Sequence, residues 1–178
     1  TSVRITIIDV NEPPVFEDAT REVYENAGVG QLVGTKLFAT DPDDGQSISF
    51  RLDGPLSDVF TFGADGRIVV LCAFVFETVP LFEFLVYAVD DDAEEPLETS
   101  ATVSVHVLDV NEPPHLVPSG PFEVLENSAR GTTVDGQLEV ADPDFDQQHV
   151  FSLSGSSNFN IDPCTGEIYV AASDALNF

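Results

Sequence analysis

The sequence predicts an all-β chain of tandem antiparallel β-sandwiches, the last of them truncated, and three observations carry that prediction. The hexapeptide Asp-Val-Asn-Glu-Pro-Pro stands at residues 9–14 and again 100 residues later at 109–114. Glu25-Asn26 and Asp41-Pro42-Asp43 recur in step as Glu126-Asn127 and Asp142-Pro143-Asp144, each 101 residues on. Repetition at one domain's length marks tandem modules. Short runs alternate apolar and polar side chains, and none sustains helical spacing. Clusters of Gly, Pro, Asn and Asp separate these runs and supply turn chemistry.

The elements follow in order. The chain opens on Val3-Arg-Ile-Thr-Ile-Ile-Asp9, which reads as a strand already under way, so residues 1–10 are assigned as the final strand of a preceding repeat. A complete repeat spans 11–110, with strands expected at 21–25, 31–39, 47–52, 59–62, 67–71, 81–90 and 99–108. Turns fall at 26–28, 41–45, 53–55, 64–66 and 91–96. Alternation sets the inward face: Ile48, Phe50 and Leu52; Ile68 and Val70; Phe82, Phe84, Val86 and Ala88; Val103, Val105 and Val107. The outward positions Leu81, Leu85, Tyr87 and Val89 are apolar where polar residues are ordinary, which makes Leu85 and Tyr87 a candidate contact stripe. Residues 111–178 form an incomplete repeat. It matches the first through Gly166-Glu-Ile-Tyr-Val170 and reaches Leu176-Asn-Phe178 without counterparts of the last two strands, so frayed edges are expected there.

Composition narrows the function. Thirty-two acidic residues against six basic ones give a net charge of −26 over 178 residues. Nucleic acid and anionic membrane surfaces repel such a chain. Many of the carboxylates cluster beside Asn, Pro and Gly, a pattern that suits divalent cations with a taste for hard oxygen ligands. The longest apolar run, 68–76, falls well short of the ~20 residues that span a bilayer. Cys72 lies in a strand-like run and is expected to be a buried thiol. Cys164 sits in the turn Asp162-Pro-Cys-Thr-Gly166 and is expected to be exposed; no disulfide between the two is expected. The paired acids Asp41 and Asp43 could serve acid–base chemistry, but they repeat with the domain beside the linker motifs, which favours chelation. His106, His115 and His149 are scattered without a nucleophile pattern, and His106 falls on an outward strand position. An enzyme is therefore not expected.

These motifs, in this order, resemble the cadherin repeat, and the resemblance covers the whole chain. Glu25 and Glu126, Phe74-Val-Phe-Glu77, Asp41-x-Asp43 and Asp142-x-Asp144, Ala88-Val-Asp90 and the two Asp-Val-Asn-Glu-Pro-Pro linkers are similar to that family's calcium motifs. The resemblance implies Greek-key, immunoglobulin-like sandwiches with structural Ca2+ at the junctions between repeats. It implies a first set of ligands in Asp9, Asn11, Glu12, Asp41, Asp43 and Asp90. A second set would comprise Glu25, Glu77, Asp109, the Val110 carbonyl, Asn111, Glu112, Asp142 and Asp144. It further implies calcium-dependent cell–cell adhesion to other cadherin ectodomains, homophilic or heterophilic, by the extracellular part of a plasma-membrane protein. The chain lacks tryptophan, so it is not the outermost repeat of a classical member; a long, non-classical member fits better. A non-adhesive spacer, or a carbohydrate-binding module of a secreted protein, are the alternatives.

One position departs from the family pattern: Val75 stands where Phe74-Val-Phe-Glu77 should carry an Asp. A lost carboxylate removes a ligand and a charge, so the outermost ion of the second set should be weak or missing. Val75→Asp is expected to add one ion or tighten calcium binding in a calorimetric titration; an unchanged count and affinity would reject this.

Overall fold

The computed structural model describes residues 2–63, 65–117, 120–136, 138–172 and 176. Ala64 of the predicted 64–66 turn, and Asn177 and Phe178 at the chain end, lie outside the described residues. Contacts divide the chain into two compact units, Thr1–Val110 and Asn111–Phe178.

In the first unit the strands are β1 (Val15–Phe16), β2 (Ala19–Tyr24), β3 (Leu32–Val33), β4 (Ala39–Thr40), β5 (Ser49–Leu52), β6 (Phe60–Phe62), β7 (Ile68–Val70), β8 (Leu81–Val89) and β9 (Glu98–Leu108). They form a four-stranded sheet in the order β2-β9-β8-β5, a three-stranded sheet β3-β7-β6, and the pair β1-β4. The inner faces of both larger sheets contribute to one apolar core. Alternation along β8 buries Phe82, Phe84, Val86 and Ala88, and that along β9 buries Val103, Val105 and Val107, as period two requires. Ile68 and Val70 are fully buried, while Ile48, Phe50 and Leu52 are half-buried at the margin. Phe60 sits in the middle. Its ring lies 5.2 Å from Phe82, 5.6 Å from Phe84 and 6.0 Å from Phe74.

The structure corrects the sequence reading in four places. The sheet is mixed, because β2 runs parallel to β9 from Ala19↔Val103 to Tyr24↔Leu108. The single strand expected at 31–39 is two, β3 paired with β7 and β4 paired with β1. Gly34 breaks it, with φ +56° and the Arg21 side chain 2.7 Å from where a Cβ would stand. Arg21 then donates to the Thr35 and Lys36 carbonyls at 2.8 and 2.9 Å, satisfying backbone that has left the ladder. The opening run 3–9 forms no strand, since no described strand lies beside it, and its apolar side chains are exposed. Cys72 is exposed, not buried, because β7 ends at Val70 and the thiol falls in the loop beyond it. Cys164 is exposed as expected.

The second unit carries β10 (His115–Val117) paired with β11 (Glu139–Ala141), and β12 (Phe159–Ile161) paired with β13 (Ile168–Val170), all antiparallel. Isolated bridges join Glu123 to Asp135 and Thr133 to Tyr169. Among its described residues there is no counterpart of β8 or β9. Val134 and Val170 are its buried apolar side chains, while Leu125, Phe145 and Val150 are exposed. Among the described residues of the chain, no helix is long and apolar enough to cross a membrane.

Truncating the central ring should empty the first unit's core. Phe60→Ala is expected to lower that unit's stability by about 3–5 kcal/mol, measured by urea denaturation followed through its aromatic signals.

Candidate metal centre

Glu25 follows directly on β2 and is only 6% exposed. Its amide donates to the Leu108 carbonyl at 3.1 Å. Its carboxylate takes two backbone amides, Val110 N–H on Oε1 at 2.7 Å and Phe76 N–H on Oε2 at 2.9 Å. Bonds to a charged acceptor are short and strong, so Glu25 fixes both the 74–79 loop and the start of the linker. In that loop the Val75 carbonyl accepts Thr78 N–H and Val79 N–H at 3.2 and 3.0 Å. This turn sets Glu77 immediately beyond Phe76, with Oε2 buried and lacking a hydrogen-bond donor. Asp109 follows β9. Carboxylate oxygens of Glu25, Glu77 and Asp109 lie within 4.8 Å of one another.

Three carboxylates that close, one with a buried oxygen and no donor, suit a hard cation. All the donors are oxygen, as calcium or magnesium prefers. Val75 is exposed beside this cluster, with its side chain free of the core.

At the other end of the first unit, the linker residues are clasped by the 41–46 turn. Glu12 N–H donates to Asp43 Oδ2 at 2.9 Å, and Asp43 N–H donates to Asp41 Oδ1 at 2.9 Å. Asn11 Nδ2 donates to Asp90 Oδ2 at 3.1 Å and to the Glu95 carbonyl at 3.0 Å. Asn11 Oδ1 accepts Gln46 Nε2 at 2.6 Å. Asp90 is 4% exposed and caps its own loop by accepting Asp92 and Leu97 amides at 3.1 Å. Asp41 Oδ2 is buried without a donor. The Glu12 carboxyl is held above the usual glutamate range, first by its contact with Asp43 and then by the charges of Asp43, Asp9 and Asp41.

The second unit repeats the clasp. Glu112 N–H donates to Asp144 Oδ2 at 2.9 Å, Asp144 N–H to Asp142 Oδ1 at 3.0 Å, and Gln147 Nε2 to Asn111 Oδ1 at 2.9 Å. Asp144 is 8% exposed, with Oδ1 buried and lacking a donor. Here the sequence reading missed His149, whose Nε2 lies 2.7 Å from Asp142 Oδ2. That contact pulls the Asp142 carboxyl below the usual aspartate range. Ile48 takes the corresponding place in the first unit, so repetition gave no signal for the histidine. Gln46 and Gln147 were also missed, although their 101-residue spacing was there to be read. Val110, expected to act through its carbonyl, supplies its amide to Glu25.

An acid-ended β-sandwich repeat with these motifs in this order is a cadherin repeat, and the chain belongs to the cadherin superfamily. It is similar to cadherin-24 of Homo sapiens, 35% identical over 195 residues, covering 97% of this chain and 24% of that protein. It is likewise similar to protocadherin-17 of Homo sapiens, 35% identical over 191 residues, covering 94% of this chain and 16% of the relative. Among solved structures, repeats EC22-24 of mouse cadherin-23 match with a TM-score of 0.61 and 27% identity, over 90% of this chain and 54% of that one. No family model matches. The chain thus spans a quarter or less of the length of these curated relatives. As a cadherin-type module it is not an enzyme.

The raised Glu12 carboxyl has a defined sign. A carboxyl held above its unfolded value costs the folded state stability once ionised; the loss begins as pH rises through the ordinary glutamate range and is complete above the raised value. Asp43→Asn is expected to return Glu12 toward the ordinary range in a carboxylate NMR titration; an unmoved Glu12 would show that Asp43 is not the cause.

Proposed function

We propose that this chain is part of an extracellular cadherin ectodomain in which calcium at the linkers stiffens successive repeats for cell–cell adhesion. The convergence of Glu25, Glu77 and Asp109, with the donorless Glu77 Oε2, carries this reading. One linker would use Asp9, Asn11, Glu12, Asp41, Asp43 and Asp90. The next would join Glu25, Glu77, Asp109 and the Val110 carbonyl to Asn111, Glu112, Asp142 and Asp144, which chain continuity supports because residues 109–112 are one connector. Bound calcium would supply positive charge and oxygen coordination. Without it, like charges repel across the connector and the repeats swing. Affinities of about 10⁻⁴–10⁻³ M, ordinary for extracellular modules, would leave such sites largely filled at millimolar calcium.

The partners would be other cadherin ectodomains, on the surface of a membrane-anchored protein. A passive spacer is the second reading, and one observation favours it. The Tyr87 ring lies under the Arg51 guanidinium at 4.3 Å, and Arg51 is paired with Glu98 and Asp53. The outward stripe is therefore partly covered by charge, with Leu85 half exposed beside it.

Native mass spectrometry at millimolar calcium should count ions on the chain, and bead aggregation with and without calcium should report adhesion. Two ions at the 109–112 linker with calcium-dependent aggregation, weakened by Leu85→Glu with Tyr87→Glu, is the expected result. Ions without aggregation would leave the spacer, and no ions would end the rigid-rod reading.

A further inference from the structure

We propose that Gln46 and Gln147 are positioning residues that fix which way the linker carboxamides of Asn11 and Asn111 face, and thereby set cation affinity. This rests on the calcium reading above. The same bond occurs independently in each unit, from Gln46 Nε2 to Asn11 Oδ1 at 2.6 Å and from Gln147 Nε2 to Asn111 Oδ1 at 2.9 Å. Each glutamine lies on the turn whose second aspartate already holds the next linker amide, Glu12 N–H on Asp43 and Glu112 N–H on Asp144. The turn therefore grips its linker at two points, one on the backbone and one on a side chain.

The chemistry of the second point is directional. A carboxamide has nearly the same shape with its oxygen and nitrogen exchanged, yet only the oxygen can bind a cation. A glutamine NH2 group can be met only by an oxygen. With the glutamine presenting its NH2 group, as Gln46 and Gln147 both do, the bond favours the orientation that keeps Oδ1 on the side of the aspartate turn. Because a carbonyl oxygen carries two lone pairs, one can accept from glutamine while the other remains for a cation.

The two units differ in how much depends on that bond. Asn11 also donates to Asp90 and to the Glu95 carbonyl, so it keeps two anchors if Gln46 is lost. Among the described residues, Asn111 otherwise donates only within the linker, to the Glu112 carbonyl at 3.2 Å. Gln147 therefore bears more of the load than Gln46.

The test is a calorimetric calcium titration of the full chain and its Gln147→Ala, Gln147→Glu and Gln46→Ala variants. Melting temperature and the Asn side-chain amide NMR signals are recorded without calcium. Gln147→Ala should weaken binding roughly tenfold, the usual cost of removing a group that orients a metal ligand. Gln46→Ala should weaken it less. Gln147→Glu adds negative charge, which by itself would tighten cation binding; controlled orientation predicts weaker binding despite the charge. The Asn111 amide signals should move in both Gln147 variants while the melting temperature holds. Tighter binding by Gln147→Glu, or unchanged affinity in both Gln147 variants, overturns this role and leaves the calcium reading standing. No binding by the unsubstituted chain overturns both.

Discussion

Glu25 is a buried carboxylate that must keep its two amide partners. It lies at the end of β2, and its oxygens reach Phe76 N–H and Val110 N–H, 51 and 85 residues away in sequence. A carboxyl group that is 6% exposed is tolerable only with strong, well-aimed partners. The requirement therefore runs outward from Glu25 to two segments at once, the 74–79 loop and the start of the linker. The 74–79 loop is held from the other side as well, because Phe74 is buried with its ring 5.6 Å from Phe82 and 6.0 Å from Phe60. Core packing below and a charged acceptor above leave little freedom for Glu77. The acidic cluster is thus a product of the sandwich interior as much as of the loops that carry it.

The two clasps show one device built twice with different fittings. Both use an aspartate that accepts the amide of the linker glutamate and a glutamine that meets the linker asparagine. In the first unit the turn passes through Gly45 at φ +91°; in the second, Asp146 adopts φ +61° at the matching place. Aspartate tolerates that left-handed backbone better than most residues, at a modest cost. Asp41 keeps a buried oxygen without a donor, whereas Asp142 spends the corresponding valence on His149. Asp142 therefore has both carboxylate oxygens engaged, one by the Asp144 amide and one by His149.

Much of this was legible in the residues, and the failures have a common cause. The long strands β8 and β9 announced their buried faces through strict alternation, and the repeated acidic motifs marked both linkers. Carboxylate oxygens of Glu25, Glu77 and Asp109 lie within 4.8 Å of one another. Periodicity, however, reports which way a side chain faces and not which strand lies alongside. It could not reveal that β2 runs parallel to β9, nor that Gly34 hands the chain from one sheet to another. The same blindness explains Cys72, which falls two residues past the end of its strand while the apolar run carries on to Phe76. It explains Tyr87 too, since only the fold brings Arg51 over its ring. His149 was illegible because its partner lies across a turn and the first repeat offers Ile48 instead.

The parallel pairing of β2 with β9 has a mechanical consequence. Pull on this unit from its two chain ends, and the force meets the two-residue β1–β4 pair first, then enters β2 at its start and leaves at the end of β9. Two neighbouring strands running the same way then slide lengthwise against each other. Their ladder, registered from Ala19↔Val103 through Tyr24↔Leu108, is loaded in shear, with its bonds sharing the strain together. An antiparallel pair pulled from one end would instead peel open a bond at a time. The topology thus gives this unit resistance to stretching along β2 and β9.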